Sequence, residues 1–506
     1  AVLQDCQKAW GQTFPGWSAG SDCAKAARLT CNAQGMVTSM NMPYAGLSGS
    51  IPLSISGLNA LTTLDLSANN LTGLIPSTVT ALAKLQWMSL GSNFLMGPVP
   101  PCTTLTSLSY LNLAYNLLSG ELPAAVHPTL QSLRLLHNNL TGSLPATIGS
   151  FFHLTELDVS FNSLSGSLPT TISNLTSASI LELCCNAFAG TVPDAISTLT
   201  NLRFLDLGDN NFTGPFPPSI FSLSNLRDLS LYDNQFVGSL PDAISTLTKL
   251  KDLNIFRNSL SGPLPSAIGS LVMMEYMNMQ NNQLSGSIPD SIGNLVNLDY
   301  LDISNNAFTG SLPDSMGLLL NLKNLDLSEN MLTGSLPVSL GNLTNLLTLF
   351  FNSSSPSSPV CPATGGSCMG VNQQGNSSFC QACPAFCTTC TPPGNPATST
   401  PTEAPPSSPA PASSPAPSPP IAPPSSPPPP APVTPSPAPP PPSAAVPMFP
   451  SPATERDHPQ MCLAGYDLAG RHAAAAVAAA DAAAAGAADA AAAAAPAASA
   501  AAAVAV

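Results

Sequence analysis

The sequence predicts an α/β-type repeat solenoid: a right-handed, curved superhelix with a parallel β-sheet on its concave face, 3-10 segments and turns on its convex face, and a disordered proline-rich stalk after it. Three observations carry this. From about Val37 to Pro337 the chain repeats L-x-x-L-x-L-x-x-N-x-L-x-G-x-L/I-P. The asparagine position recurs in thirteen copies from Ala45 to Asn330, ten of the twelve intervals being 24 residues. Beyond the repeats the composition turns abruptly to Pro, Ser and Ala.

Each element of the repeat has a physical reason. Leu-x-Leu has period two, so both leucines point one way and the residues between them the other. One copy, Leu322, Leu325, Leu327, Asn330, Leu332, Gly334, Leu336 and Pro337, is a short strand and a turn with no core of its own. Stacked copies bury the leucines and pair the strands into a parallel sheet. A buried asparagine amide can satisfy backbone groups the turn leaves unpaired. Glycine suits a place that a side chain would crowd. Proline fixes φ where the chain leaves the turn. A partial copy begins at Leu346 and ends in Asn352-Ser353-Ser354-Ser355.

The domains expected are a cap (1–36), the solenoid (37–352), a cysteine-rich knot (353–391), a Pro/Ser/Ala-rich stalk (392–460) and an alanine-rich tail (461–506). The knot holds Cys361, Cys368, Cys380, Cys383, Cys387 and Cys390; their close spacing favours disulfides over a zinc site. The stalk cannot bury a core and is expected as extended polyproline II. For the tail, a low-complexity end, a GPI-anchor signal and a membrane span stay open, so membrane attachment is undecided.

A net charge of −14 disfavours a nucleic-acid partner, since phosphates are bound through Lys and Arg. Clustered cysteines point to an exported chain, as does the start at Ala1, which fits a removed leader. Seven N-x-S/T sequons, at Asn70, Asn139, Asn174, Asn211, Asn342, Asn352 and Asn376, are expected glycosylation sites. Asn70, Asn139 and Asn211 directly follow the ladder asparagine, on the lateral rim, and Asn174 and Asn342 fall on the convex side. Glycans there leave the inner face bare.

The segment Leu47-Ser48-Gly49-Ser50-Ile51-Pro52 closely resembles the plant-type extracellular leucine-rich-repeat class, and the likeness covers about residues 1–350. That resemblance implies the ectodomain of a receptor-like kinase or receptor-like protein, a polygalacturonase-inhibiting protein or a wall-bound extensin-like relative. Trp17-Ser18 with Cys23 and Cys31 resembles the class's cap and implies a Cys23–Cys31 disulfide, although no tryptophan lies between the two cysteines. The stalk resembles the hydroxyproline-rich stretches of plant and green-algal wall proteins.

Positions before each asparagine fall into columns on the inner face. Four residues before it lie Asp158, Glu182 and Asp206 on consecutive strands, among other Asp and Asn. A carboxylate pair at this spacing suits a cation site or a glycosidase, but bonding to nearby backbone and hydroxyls is the favoured role. Six before it lie Trp87, Tyr110, Phe204, Tyr276 and Tyr300; two before it, Tyr232 and Phe256. These aromatics are expected to be exposed and to bind, against the alternative of packing on one another. Phe204, Tyr232, Phe256, Tyr276 and Tyr300 form the expected ligand patch with Arg203, Arg227, Asp228, Asp252 and Arg257, aromatic anchors ringed by charges of both signs. Its dull alternative is a solvated charge ladder. Cys184 and Cys185, placed on exposed strand positions, leave a vicinal disulfide, an intermolecular link and idle thiols open.

The function expected is recognition of an extracellular protein, peptide or glycan, at the cell surface or in the wall, without catalysis, cofactor or metal. A hydrolase inhibitor of the polygalacturonase-inhibitor kind and a structural wall glycoprotein are the alternatives.

Overall fold

The computed structural model describes residues 1–18, 26–124, 128–334 and 336–351. Cys23, the cysteine-rich knot, the proline-rich segment, the alanine-rich tail, Asn352 and Asn376 lie outside them.

The period-two leucines do what their spacing requires. Three-residue strands such as Phe204–Asp206, Asp228–Ser230, Asp252–Asn254 and Tyr276–Asn278 line up in sequence order within a sheet of 15 strands. Neighbours pair in parallel register, except that Leu29–Cys31 of the cap runs antiparallel to Val37–Asn41 and closes one edge. The central leucine of each strand is buried, for example Leu205, Leu229 and Leu253. Phenylalanines two residues past the asparagine form a stacked spine inside, Phe188, Phe212 and Phe236 at 6.4 Å centroid spacing. Burying each such side chain contributes about 1.5–3 kcal/mol, so the stacking of coils, not any coil alone, supplies the stability.

The asparagine ladder resolves the backbone accounting. Asn69 Nδ2 donates to the carbonyls of Met42, Leu66 and Ser67, while its Oδ1 accepts from the amides of Ala45 and Leu47 in the preceding coil. Asn234 and Asn306 repeat the pattern. Each amide therefore welds two coils.

Two expectations about the turns need correction. The repeat glycine is required by its backbone, which is left-handed from Gly49 (φ 84°) to Gly334 (φ 82°). At Gly238 a Cβ would meet nothing within 4 Å, so crowding is not the general reason. The repeat proline stands in extended conformation at the entrance to a 3-10 turn, as Pro193 does before Asp194–Thr198. A feature the sequence reading missed is a second parallel sheet of 13 strands on the flank, built from segments such as Asn211–Pro215 and Gln235–Gly238.

The cap packs helix Val2–Trp10 on the first coil, with Cys6, Trp10 and Trp17 fully buried. Gly49 admits this contact: a Cβ there would sit 2.2 Å from the Ala9 carbonyl oxygen. Cys31 is disulfide-bonded, and its expected partner Cys23 is outside the described residues.

Candidate functional site

Because alternate strand residues face away from the leucine core, the columns named above become the floor of the inner face. Its first half forms an open cavity of about 350 Å³. Five carboxylates from four strands line it: Glu156 and Asp158 on one, then Glu182, Asp206 and Asp228. Phe161, Phe204 and Tyr232 border it.

The aspartates in this floor serve the backbone first. Asp158 accepts from the amide and hydroxyl of Ser160 at 3.1 and 2.6 Å, and Asp302 does the same with Ser304 at 2.9 and 2.7 Å. Asp206 accepts from the Gly208 amide at 2.8 Å. The favoured reading of the L-D-L-S aspartates is thus the observed one.

Glu182 differs. It stands between Asp158 and Asp206 in register and shares a hydrogen bond with Asp158. Burial first, then the charges of Asp158, Asp206 and Glu156, hold its carboxyl well above the usual range. Burial likewise lifts Asp158 to about 6 and Asp206 to about 7. Protons stay where carboxylates crowd out of water.

Farther along, Asp228 and Asp252 are register partners and hydrogen-bond to one another. Burial, then that bond and the charge of Asp252, push Asp228 up to about 9, against the pull of Lys251 and Arg227. Tyr276 and Tyr300 stack at 4.5 Å beside this pair, and Tyr232 stacks on Phe256 at 5.0 Å. Arg203, Arg227 and Arg257 are exposed at the border. Salt bridges join Lys251 to Glu275 at 2.5 Å and Arg257 to Asp233 at 3.4 Å. The ligand patch read from sequence is therefore brought together, with part of its charge spent on a ladder of ion pairs.

Several expectations are corrected. Tyr110 and Tyr232 are buried, at 8% and 5% exposure, because the column aromatics cover one another; Trp87 lies 3.5 Å from Tyr110, ring to ring. Cys184 is buried, not exposed, and no disulfide joins it to Cys185, whose Sγ lies 3.8 Å from Tyr232 Oη, which removes the vicinal disulfide. Cys184 is hydrogen-bonded by Cys185, which lowers it, yet burial and the neighbouring carboxylates push its thiol up to about 12. A thiol so held is a poor nucleophile.

Sequence reasoning missed Arg134 and Glu156. Arg134 Nε donates to Glu156 at 2.7 Å, and its guanidinium lies 5.4 Å from the Tyr110 ring centroid. Reading diagonally across strands, Tyr110, Arg134, Glu156, would have found the trio. The sequons Asn70, Asn139, Asn174, Asn211 and Asn342 are all exposed. Among the described residues no group of His, Cys, Asp and Glu is arranged to hold a metal ion, and no helix is long and apolar enough to cross a membrane.

The chain matches the family described as Leucine rich repeat over residues 152–212, and single Leucine Rich Repeat units match at 60–82, 129–151, 225–247, 249–271, 273–295, 297–319 and 321–343. Among solved structures it is similar to PEPR1 in its crystal structure with AtPEP1 (33% identity, TM-score 0.65), covering 69% of this chain and 52% of that one. The chain thus spans about half the length of PEPR1 as crystallised. It is similar also to the Arabidopsis receptor kinase HAESA ectodomain in complex with an N-terminally extended IDA peptide hormone (28%, TM-score 0.54, 69% of this chain and 68% of that one). A leucine-rich-repeat protein of Leptospira interrogans matches at 28% identity and TM-score 0.51, over 76% of this chain and 96% of its own. No curated protein sequence matches.

Proposed function

We propose, from the premise that this chain is a leucine-rich-repeat protein of the plant extracellular type, that it recognises an extracellular peptide or protein on its inner sheet face. The observation that carries the reading is the composition of that face. It holds stacked aromatics and crowded carboxylates over a rigid sheet, while all five described sequons are exposed and none of them lies in its columns. Rigid aromatic anchors set among polar groups make an interface at small ordering cost. The peptide-bound neighbours support a peptide over a glycan as the occupant.

Glycans on Asn70, Asn139, Asn174, Asn211 and Asn342 would shield the flanks and outer face. That pattern and the disulfide at Cys31 support an exported, cell-surface or wall location. The acidic groove also fits a basic secreted hydrolase, which keeps the inhibitor reading as a second one; a pectinase assay with and without the full chain decides it.

The test is capture of peptides from a display library by the full chain and by Phe256→Ala/Tyr276→Ala. Affinity for captured peptides should fall about tenfold or more in the double variant, as removal of two interface aromatics does. Unchanged affinity in a variant of unchanged Tm overturns the reading.

A further inference from the structure

The inner face holds one arginine slot that the chain fills itself. The stacked rings of Trp87 and Tyr110 stand on one side, the Glu156 carboxylate on the other, and Arg134 lies between them, bonded to Glu156 at 2.7 Å and set over Tyr110. Arg134 Nη1 also donates to Tyr110 Oη at 3.1 Å. The aromatics and the carboxylate belong to the column six residues before the ladder asparagine, and Arg134 to the column four before it.

The same parts recur, in reversed order, five coils on. In the first column stand Asp228, Asp252, Tyr276 and Tyr300, each the register partner of the next. Tyr276 and Tyr300 stack as Trp87 and Tyr110 do. In the second column, where the first slot has Arg134, stand Asn254 and Asn278. Asn254 is only 6% exposed, on the same face as Asp252, and its side-chain oxygen has no hydrogen-bond partner. A buried acceptor without a donor is a standing deficit that an arriving N–H would relieve. The deficit and the aromatic frame are independent of the carboxylates, and both call for a flat or compact organic cation: ring faces attract it and carboxylates pair with it. A divalent metal gains nothing from the ring faces, and among the described residues no group of three His, Cys, Asp or Glu is arranged to hold one.

We propose that the slot formed by Asp228, Asp252, Asn254, Tyr276 and Tyr300 takes the basic side chain, arginine or lysine, of a bound peptide, as the Trp87–Tyr110–Glu156 slot takes Arg134. This rests on the peptide-recognition reading above and names the residue class that the face selects. Asp228 and Asp252 supply the charge, and the incoming cation takes the place of the proton they hold between them. Tyr276, backed by Tyr300, supplies the ring face. Lys251 and Arg227, at the border, oppose a second cation, so the slot accepts one.

The test titrates the full chain with N-acetyl-arginine amide, N-acetyl-lysine amide, the neutral isostere N-acetyl-citrulline amide, and glycinamide as a free amine without a side chain. Arginine amide should bind at least tenfold more tightly than citrulline amide, with lysine amide between them and glycinamide not binding. Asp252→Asn should weaken arginine amide about tenfold and leave citrulline amide unchanged. Asn278→Arg, which supplies the cation from within as Arg134 does, should abolish arginine-amide binding without lowering Tm. Equal binding of the arginine and citrulline amides, binding led by glycinamide, or indifference to both substitutions overturns the slot. Library peptides that need Phe256 and Tyr276 but show no preference for Arg or Lys overturn the slot while leaving recognition intact. Peptides indifferent to Phe256→Ala/Tyr276→Ala overturn the recognition reading itself.

Discussion

Two stretches of one surface, around Arg134 and around Asp252, use the same side-chain types and reach different ends. At the first, a guanidinium is built in, the carboxylate of Glu156 is paired at 2.7 Å, and the aromatic stack is closed over. At the second, the carboxylates of Asp228 and Asp252 share a hydrogen bond, and the Asn254 oxygen is left without a donor. The difference teaches that a repeat scaffold fixes where a column lies but not whether the column is satisfied from within. An unsatisfied column is where a ligand can supply what the chain withholds.

Removing the built-in cation breaks the comparison most sharply. Arg134→Ala strands Glu156, whose side chain is 13% exposed, beside Asp158 and Glu182, and should cost about 3–4 kcal/mol by chemical denaturation. Adding Glu156→Gln should restore a good part of that loss, since the stranded charge is then gone.

Next in size is the response to pH. Asp158, Asp206 and Asp228 hold their protons up to about 6, 7 and 9 in the folded chain, above the unfolded value near 4. The folded state then binds more protons than the unfolded one. The stability these groups contribute is full below pH about 4 and is lost as pH rises through about 4 to 9. Denaturation at pH 4.5 and 8 should differ by about 3 kcal/mol in favour of the acidic buffer, allowing for protons that do not add independently. Glu182→Gln, which removes the most crowded carboxyl, should flatten the profile.

Smaller effects sharpen the second stretch. Asn254→Leu removes the acceptor without a donor and should stabilise the free chain by about 1 kcal/mol, read as a rise in denaturation midpoint. Tyr300→Phe keeps the stack and loses the 3.4 Å bond to Asp302 and the hydroxyl contact with Tyr276, so its stability should change by less than about 1 kcal/mol.

Much of this was legible in the sequence because one period governs it. The leucines, the asparagine ladder and the inner columns follow from spacing, and Phe204, Asp228, Tyr232, Asp252, Phe256, Tyr276 and Tyr300 do meet as their columns require. The bonding of Asp158 to Ser160 was legible too, since a carboxylate at a strand end can accept from a serine two residues on, where the chain bends away. The lateral sheet was not, because N-x-L-x-G reads as a turn until neighbouring coils pair with it. The burial of Tyr232 was not, because it depends on residues of other coils: Phe256 stacks on one side, and Gly208, with no Cβ, leaves room for the ring on the other. Arg134 escaped notice because its partners Tyr110 and Glu156 lie 24 and 22 residues away, in other columns.

The most direct measurement is hydroxyl-radical footprinting of the full chain with and without a captured peptide. Occupation of the inner face predicts loss of oxidation at Phe204, Phe256, Tyr276 and Tyr300, with Leu318 and Leu320 on the outer side unchanged. Protection of Leu318 and Leu320 with the four aromatics still oxidised would contradict it.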